Sequence, residues 1–163
     1  MQFDLFGPPL RFATFDELLS AMHALSDDPL AAYGTRMVVY RGNPAARLMI
    51  VGEAPGAEED AQGLPFVGPS GKLLDQILVA AGFDTERDVI ITNVAFRRPP
   101  DNRKPTPEEI AYYKPYLLEL IRLVDPPLIV LAGAAAVESL LDDKRGITKI
   151  RGQWFPWAGR SLM

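Results

Sequence analysis

Leu48-Met49-Ile50-Val51-Gly52-Glu53-Ala54-Pro55-Gly56 joins an unbroken apolar run to a loop of two glycines, a proline and a carboxylate. An apolar run without polar alternation is the pattern of a parallel strand buried on both faces, and here glycine closes it. We place this strand over roughly Arg47 to Val51. In open α/β sheets the ligand crevice lies beyond the carboxyl ends of the strands, so the loop that follows stands where chemistry is done. Glu53 stands out there, because a carboxylate beside a buried strand end is costly unless it is paired or employed. Pro55 and Gly56 fix the backbone and let a ligand approach, which suits polarising a water or stabilising a cation.

Working outward, the same pattern recurs twice. Val89-Ile90-Ile91-Thr92-Asn93-Val94 is a second buried-type strand with Asn93 as its polar exit, and Leu128-Ile129-Val130-Leu131 is a third, broken at Gly133. Met37-Val38-Val39-Tyr40 reads as a short strand and Arg41-Gly42-Asn43-Pro44 as a turn. Helices fill the intervals. After a proline-containing leader, Thr14-Phe15-Asp16-Glu17 is a capping box opening a helix to about Leu25, which Ser26-Asp27-Asp28-Pro29 ends. Pro69-Ser70-Gly71 starts a helix with Leu73, Leu74, Ile77, Leu78 and Ala81 on one stripe. Thr106-Pro107-Glu108-Glu109 combines a capping box with proline at the first helical position, and its helix runs to about Leu123 with Ile110, Tyr113, Leu117, Leu120 and Val124 inward. A short helix covers Ala134 to Leu141. The alternation predicts right-handed βαβ units and an α/β fold, a parallel sheet covered on both faces.

Composition bounds the chemistry. The chain has 163 residues, 48% hydrophobic and 23% charged, ordinary values for one globular domain. No apolar run approaches the roughly 18 residues of a membrane span, and no basic-then-apolar leader marks a signal peptide, so the expected location is the cytoplasm. Cysteine is absent, which excludes disulfides, thiolate metal sites and cysteine-ligated iron–sulfur clusters. The single histidine, His23, lies on the first helix with no second histidine or cysteine beside it and reads as a surface or packing residue. A net charge of -4 argues against wholesale nonspecific nucleic-acid binding but says nothing about a local patch.

Such a patch exists. Arg97, Arg98, Arg103 and Lys104 fall within one loop, whose prolines at 99, 100 and 105 keep it from being helical. The cluster can hold a phosphate backbone or be a solvated surface. A nucleotide cofactor is not indicated, because no Gly-x-Gly-x-x-Gly follows the first strand and Gly71-Lys72-Leu73 lacks the magnesium-binding hydroxyl. Glu58-Glu59-Asp60 suits a solvated turn or a helix N-terminus better than a metal cage, so no metal is expected. In the tail, Trp154-Phe155-Pro156-Trp157 reads as a core-packing strand rather than a stacking surface for bases.

Taken together, Gly52-Glu53-Ala54-Pro55-Gly56, Glu59-Asp60, Gly63-Leu64-Pro65-Phe66-Val67-Gly68, Gly71-Lys72-Leu73-Leu74-Asp75, Thr92-Asn93-Val94, Arg98-Pro99-Pro100-Asp101-Asn102-Arg103 and Thr106-Pro107-Glu108-Glu109 resemble the uracil-DNA glycosylase superfamily. The nearest group is family 4, long grouped with a segment of a phage-type DNA polymerase, and the match extends from about Asn43 to Trp157. The resemblance implies a three-layer α/β/α fold with a central, mostly parallel four-stranded sheet. It implies that uracil is flipped out of DNA and its N-glycosidic bond hydrolysed, as in base excision repair. Phe66 then matches the aromatic on which uracil stacks and Asn93 the asparagine that reads its edge, with Gly52, Ala54, Pro55 and Gly56 completing the base pocket. Glu53 and Glu59 match acidic catalytic residues, which can position water and stabilise an oxocarbenium-like transition state. Arg97, Arg98, Asn102, Arg103 and Lys104 are expected on the DNA backbone, and the protein is expected to be a monomer with DNA as partner and no membrane.

Two departures accompany the match. The family's four cluster cysteines align with Leu25, Asp28, Arg97 and Tyr113, so no cofactor is expected, and aromatic packing of Tyr113 is the expected tie in the cluster's place. The family's donor to uracil O2 is a histidine in a His-Pro-Ser-like motif after the Trp-Phe-x-Trp segment, and the chain ends at Met163 without it. The expectation is therefore a single domain, 1–163, truncated at its C-terminus or degenerate. The competing function is a noncatalytic or vestigial DNA-binding protein of the same fold, and a third is hydrolysis of another modified base in the same pocket.

Overall fold

The computed structural model describes residues 9–141, 143 and 145–163; most of the leader before Thr14 lies outside them. In chain order it comprises α1 (Phe15–His23), a 3-10 turn (Ala31–Tyr33), β1 (Arg41–Gly42), β2 (Leu48–Gly52), α2 (Ala57–Gln62), α3 (Pro69–Ala80), β3 (Val89–Asn93), a 3-10 turn (Pro100–Asn102) and α4 (Pro107–Val124). It continues through β4 (Leu128–Leu131), α5 (Ala134–Leu140), α6 (Ile147–Ile150), β5 (Phe155–Trp157) and β6 (Arg160–Leu162).

The strands form one sheet in the order β1-β3-β2-β4-β6-β5. Its centre, β3-β2-β4-β6, is the parallel four-stranded core expected of the family. Two short antiparallel edges, β1 on β3 and β5 on β6, widen it to six strands. The apolar runs 48–51 and 89–91 are buried throughout because β2 and β3 each lie between two neighbours and are covered on both faces. Alternate residues part to opposite sides. Met49, Val51, Ile90, Ile129 and Leu131 join α1, α4 and α5 in the larger core, while Leu48, Ile50, Val89 and Ile91 meet Leu78 of α3 in the smaller one. The architecture is therefore three layers.

Local reading succeeds where capping decides. Thr14 caps α1 and Thr106 caps α4, each hydroxyl accepting from the third helical N–H. Within α4, Pro115 lies on the exposed side, where the carbonyl it leaves unbonded is open to solvent. Three expectations need correction. The strand expected over 37–40 is an extended segment with only isolated bonds to the sheet edge, Val38 N–H to Phe96 O (2.7 Å) and Thr92 Oγ1 to Val39 O (2.7 Å). Strand pairing begins instead at Arg41–Gly42, the start of the expected turn. The acidic run, by contrast, keeps one of its two expected placements, the first turn of a helix (α2), where carboxylates complement the helix dipole. On α3 only Leu74 and Leu78 of the expected stripe turn inward. Leu73 and Ile77 are 58% and 57% exposed, because the smaller core offers less surface than the stripe could cover.

Candidate active site

The chain leaves β2 for β3 on one side and reaches β4 on the other side of β2, so the carboxyl end of β2 is a topological switch point. Backbone bonds hold the exits together there: Val94 N–H to Gly52 O (2.9 Å), Ala95 N–H to Glu53 O (3.0 Å) and Ala132 N–H to Val51 O (2.8 Å). A pocket of about 600 Å³ opens at this point, lined among others by Glu53, Ala54, Phe66, Asn93, Asn102 and Ala132.

Phe66 forms a wall of the pocket. A Cβ on Gly52 would lie 2.3 Å from Cζ of Phe66 and 2.6 Å from Oδ1 of Asn93, so the ring and the amide converge on bare backbone that only glycine leaves free. Asn93, the last residue of β3, is buried in the pocket, and among the described residues nothing hydrogen-bonds its amide. An amide held in this way offers one donor and one acceptor to a planar ligand edge. The Glu53 carboxylate also lines the pocket without a hydrogen-bond donor among the described residues.

Glu59, expected as a second catalytic carboxylate, also lines the pocket but is engaged differently. Its Oε2 accepts from Gly56 N–H (3.1 Å), and its Oε1 accepts from the N–H groups of Val67 (3.2 Å) and Gly68 (3.0 Å). With both oxygens occupied by backbone donors, it pins the Phe66 loop to the start of α2. Pro55 is buried behind the pocket and does not line it.

The basic loop divides. Arg97 is 9% exposed, and its guanidinium is consumed inside the protein, by Asp28 Oδ2 (2.8 Å), by Leu25 O (2.8 Å) and by Thr35 O. So engaged and buried, it does not present its guanidinium to a DNA backbone in the way expected of it. Arg103 forks onto both oxygens of Glu109 (2.7 and 2.9 Å), which holds that carboxyl below its ordinary range against the opposing effect of burial. Arg98 donates to Asn102 Oδ1 (2.7 Å) and Lys104 is exposed. Asn102 lines the pocket itself, held at φ 53°. Sequence reading missed Arg36, which is exposed beside Thr35 where the Thr35 hydroxyl meets Arg98 O (3.4 Å). It also missed Ala132, which the rule applied to β2 and β3 finds when applied to β4.

Residues 39–161 match the profile of the Uracil DNA glycosylase superfamily. The chain belongs to this superfamily. It is 46% identical over 132 residues to a type-4 uracil-DNA glycosylase of Thermotoga maritima, covering 80% of this chain and 68% of that one. A type-4 uracil-DNA glycosylase of Sulfurisphaera tokodaii is 42% identical over 130 residues, covering 77% and 59%. A DNA polymerase of Bacillus phage SP01 is 32% identical over 135 residues, covering 83% of this chain and 14% of the polymerase. The match thus spans about two thirds or less of the length of these relatives.

The superfamily resemblance raised the question of an iron–sulfur cluster, and the donor set at the aligned positions does not fit one. Leu25, Asp28, Arg97 and Tyr113 do converge, but as a hydrogen-bonded network: Arg97 and the Tyr113 hydroxyl both donate to Asp28 Oδ2, and Arg97 also reaches the Leu25 carbonyl. None of the four is a thiolate, and a guanidinium fills the centre. Burial, and then the Asp28 carboxylate, push the Tyr113 hydroxyl far above its ordinary range, so it stays a donor. The expected aromatic packing is present, with Phe96 edge-on to Tyr113 at 5.7 Å, but a polar tie lies beside it.

Proposed function

We propose that the chain binds a uracil flipped out of DNA and hydrolyses its N-glycosidic bond, acting as a monomer in the cytoplasm. The observation that carries this reading is the Phe66 ring packed on Gly52 beside the unengaged Asn93 amide. Uracil stacks on Phe66, and the Asn93 amide donates to O4 and accepts from N3–H, a pattern that cytosine reverses. Glu53 accepts a hydrogen bond from a water and places negative charge beside the sugar as positive charge develops there. The water oxygen bonds to C1′ as the C1′–N1 bond breaks. The bonding pair leaves on uracil, which takes up a proton as the attacking water gives one to solvent. Arg36, Arg98, Arg103 and Lys104 supply the positive rim for the phosphate backbone.

Incubation with a single-stranded uracil-containing oligonucleotide followed by alkaline cleavage tests the reading. Strand breaks at uracil, lost in Glu53→Gln, support it, and their absence with wild-type protein refutes hydrolysis. A second reading, base binding without cleavage, is favoured by the place of the only histidine. His23 is exposed at the end of α1 and does not line the pocket, so it supplies no donor to a departing uracil. That reading predicts tighter binding to uracil-containing than to thymine-containing oligonucleotide with no base released.

A further inference from the structure

We infer that Arg41 and Asp75 are positioning residues that hold the Phe66 ring in place as a preformed stacking platform, an inference that rests on the pocket receiving a planar base. Phe66 has φ 55°, a left-handed conformation that a bulky side chain keeps only when its surroundings over-determine it. Three observations identify those surroundings. Arg41 Nε donates to Pro65 O (2.8 Å) and Arg41 Nη2 to Phe66 O (2.9 Å), so one guanidinium captures two successive carbonyls. The same Nη2 donates to Asp75 Oδ1 (2.7 Å), which fixes the guanidinium from the side of α3. The fork itself is largely covered, the Arg41 side chain being 13% exposed. Finally, a Cβ on Gly71 would lie 1.8 Å from Phe66 O, so the loop carbonyl rests directly on the first turn of α3.

The carbonyl of Phe66 is thus held against Arg41 and Gly71 while its ring lies against Gly52 and Asn93 on the pocket side. Arg41 is on β1, paired with Ile91 of β3, and so carries the geometry of the sheet into the loop. Neither Arg41 nor Asp75 lines the pocket; both act through Phe66. A lysine at position 41 would keep the charge opposite Asp75 but not the planar fork that spans two carbonyls.

The test reads the ring directly. In the ligand-free protein the Gly52 Hα signals should be displaced by the ring current of Phe66, and Phe66→Leu sets the value without it. Arg41→Lys, Arg41→Gln and Asp75→Asn should each move the Gly52 signals toward that value, the two arginine variants furthest, while the dispersed methyl signals of the larger core persist. The Kd for free uracil, followed by NMR titration, should rise about tenfold in Arg41→Lys, in line with loss of one stacked base. Gly52 signals that stay at their wild-type positions in folded Arg41→Lys would overturn the inference, as would loss of the fold in both Arg41→Lys and Asp75→Asn, which would make the clamp a purely structural tie. If wild-type protein does not bind uracil, the base-pocket reading fails, and the Gly52 signals alone decide the role of Arg41 and Asp75.

Discussion

Replacing Arg97 by methionine tests the buried network that joins the segment after α1 to the loop after β3. Asp28 Oδ2 accepts from both Arg97 and Tyr113, and Asp28 Oδ1 is buried with no partner among the described residues. Without Arg97 the carboxylate keeps a single neutral donor in a site closed to water, and the carbonyls of Leu25 and Thr35 lose their donors as well. Removing one member of a buried pair costs about 3–5 kcal/mol. For a chain of this size each kcal/mol is worth roughly 2–4 °C in Tm, so the midpoint should fall by about 6–20 °C. The double variant Asp28→Leu/Arg97→Met should recover much of that loss, because a well-packed apolar replacement of a buried ion pair is often neutral. Thermal and urea denaturation of the two variants and the wild type measure the shift in midpoint and the free-energy loss. A loss below about 1 kcal/mol in Arg97→Met, or a double variant less stable than the single one, would refute the reasoning. The same protein separates structure from DNA contact: the salt dependence of DNA binding should be unchanged in Arg97→Met, whereas a phosphate contact would lower the slope by about one.

Three further outcomes follow from the site and the core. Gly52→Ala puts a methyl group into the Phe66 ring and the Asn93 amide, so uracil affinity measured by titration should fall at least about tenfold while circular dichroism keeps the native spectrum; retained affinity would show that ring and amide do not form the base site. Glu59→Ala frees three backbone N–H groups and should cost at least about 2 kcal/mol in urea denaturation, and a smaller loss would deny Glu59 its role as the tie of the Phe66 loop. Arg122, reinforced by Phe12 N–H and Arg11, holds buried Glu119 down to about 2 against the effect of burial. Its folded value lies below the unfolded value of roughly 4.3, so its stabilisation is complete above that pH and lost as the pH falls toward 2; Glu119→Gln should flatten the fall in urea midpoint across that window, and an unchanged slope would contradict the assignment.

Much of the fold was legible because short-range rules govern it. Continuous apolar runs announce strands buried on both faces, and threonine three residues before glutamate announces a helix start. The same rules placed Gly52, Glu53 and Asn93 at strand exits, where the structure has the pocket. The misreadings share a cause. Arg97 and Arg103 look alike in a basic loop, yet Arg97 is buried on Asp28, far away in sequence, whereas Arg103 pairs with nearby Glu109 and stays partly exposed. Glu53 and Glu59 are both glutamates of one loop, and only the path of Val67 and Gly68 back to Glu59 separates a free carboxylate from a structural one.

The sequence alone determined the central run of β2, α3, β3, α4, β4 and α5, the absence of any thiolate ligand and the loop at 52–56 as the place for chemistry, since each depends on residue type and near neighbours. Tertiary structure decided which charges are free. It closed Asp28, Arg97 and Tyr113 into one buried network, and it set the Phe66 ring on Gly52 under the hold of Arg41 and Asp75. Those pairings join residues distant along the chain, and burial and hydrogen-bond geometry, which exist only after folding, determine whether a charge meets water, a ligand or another side chain.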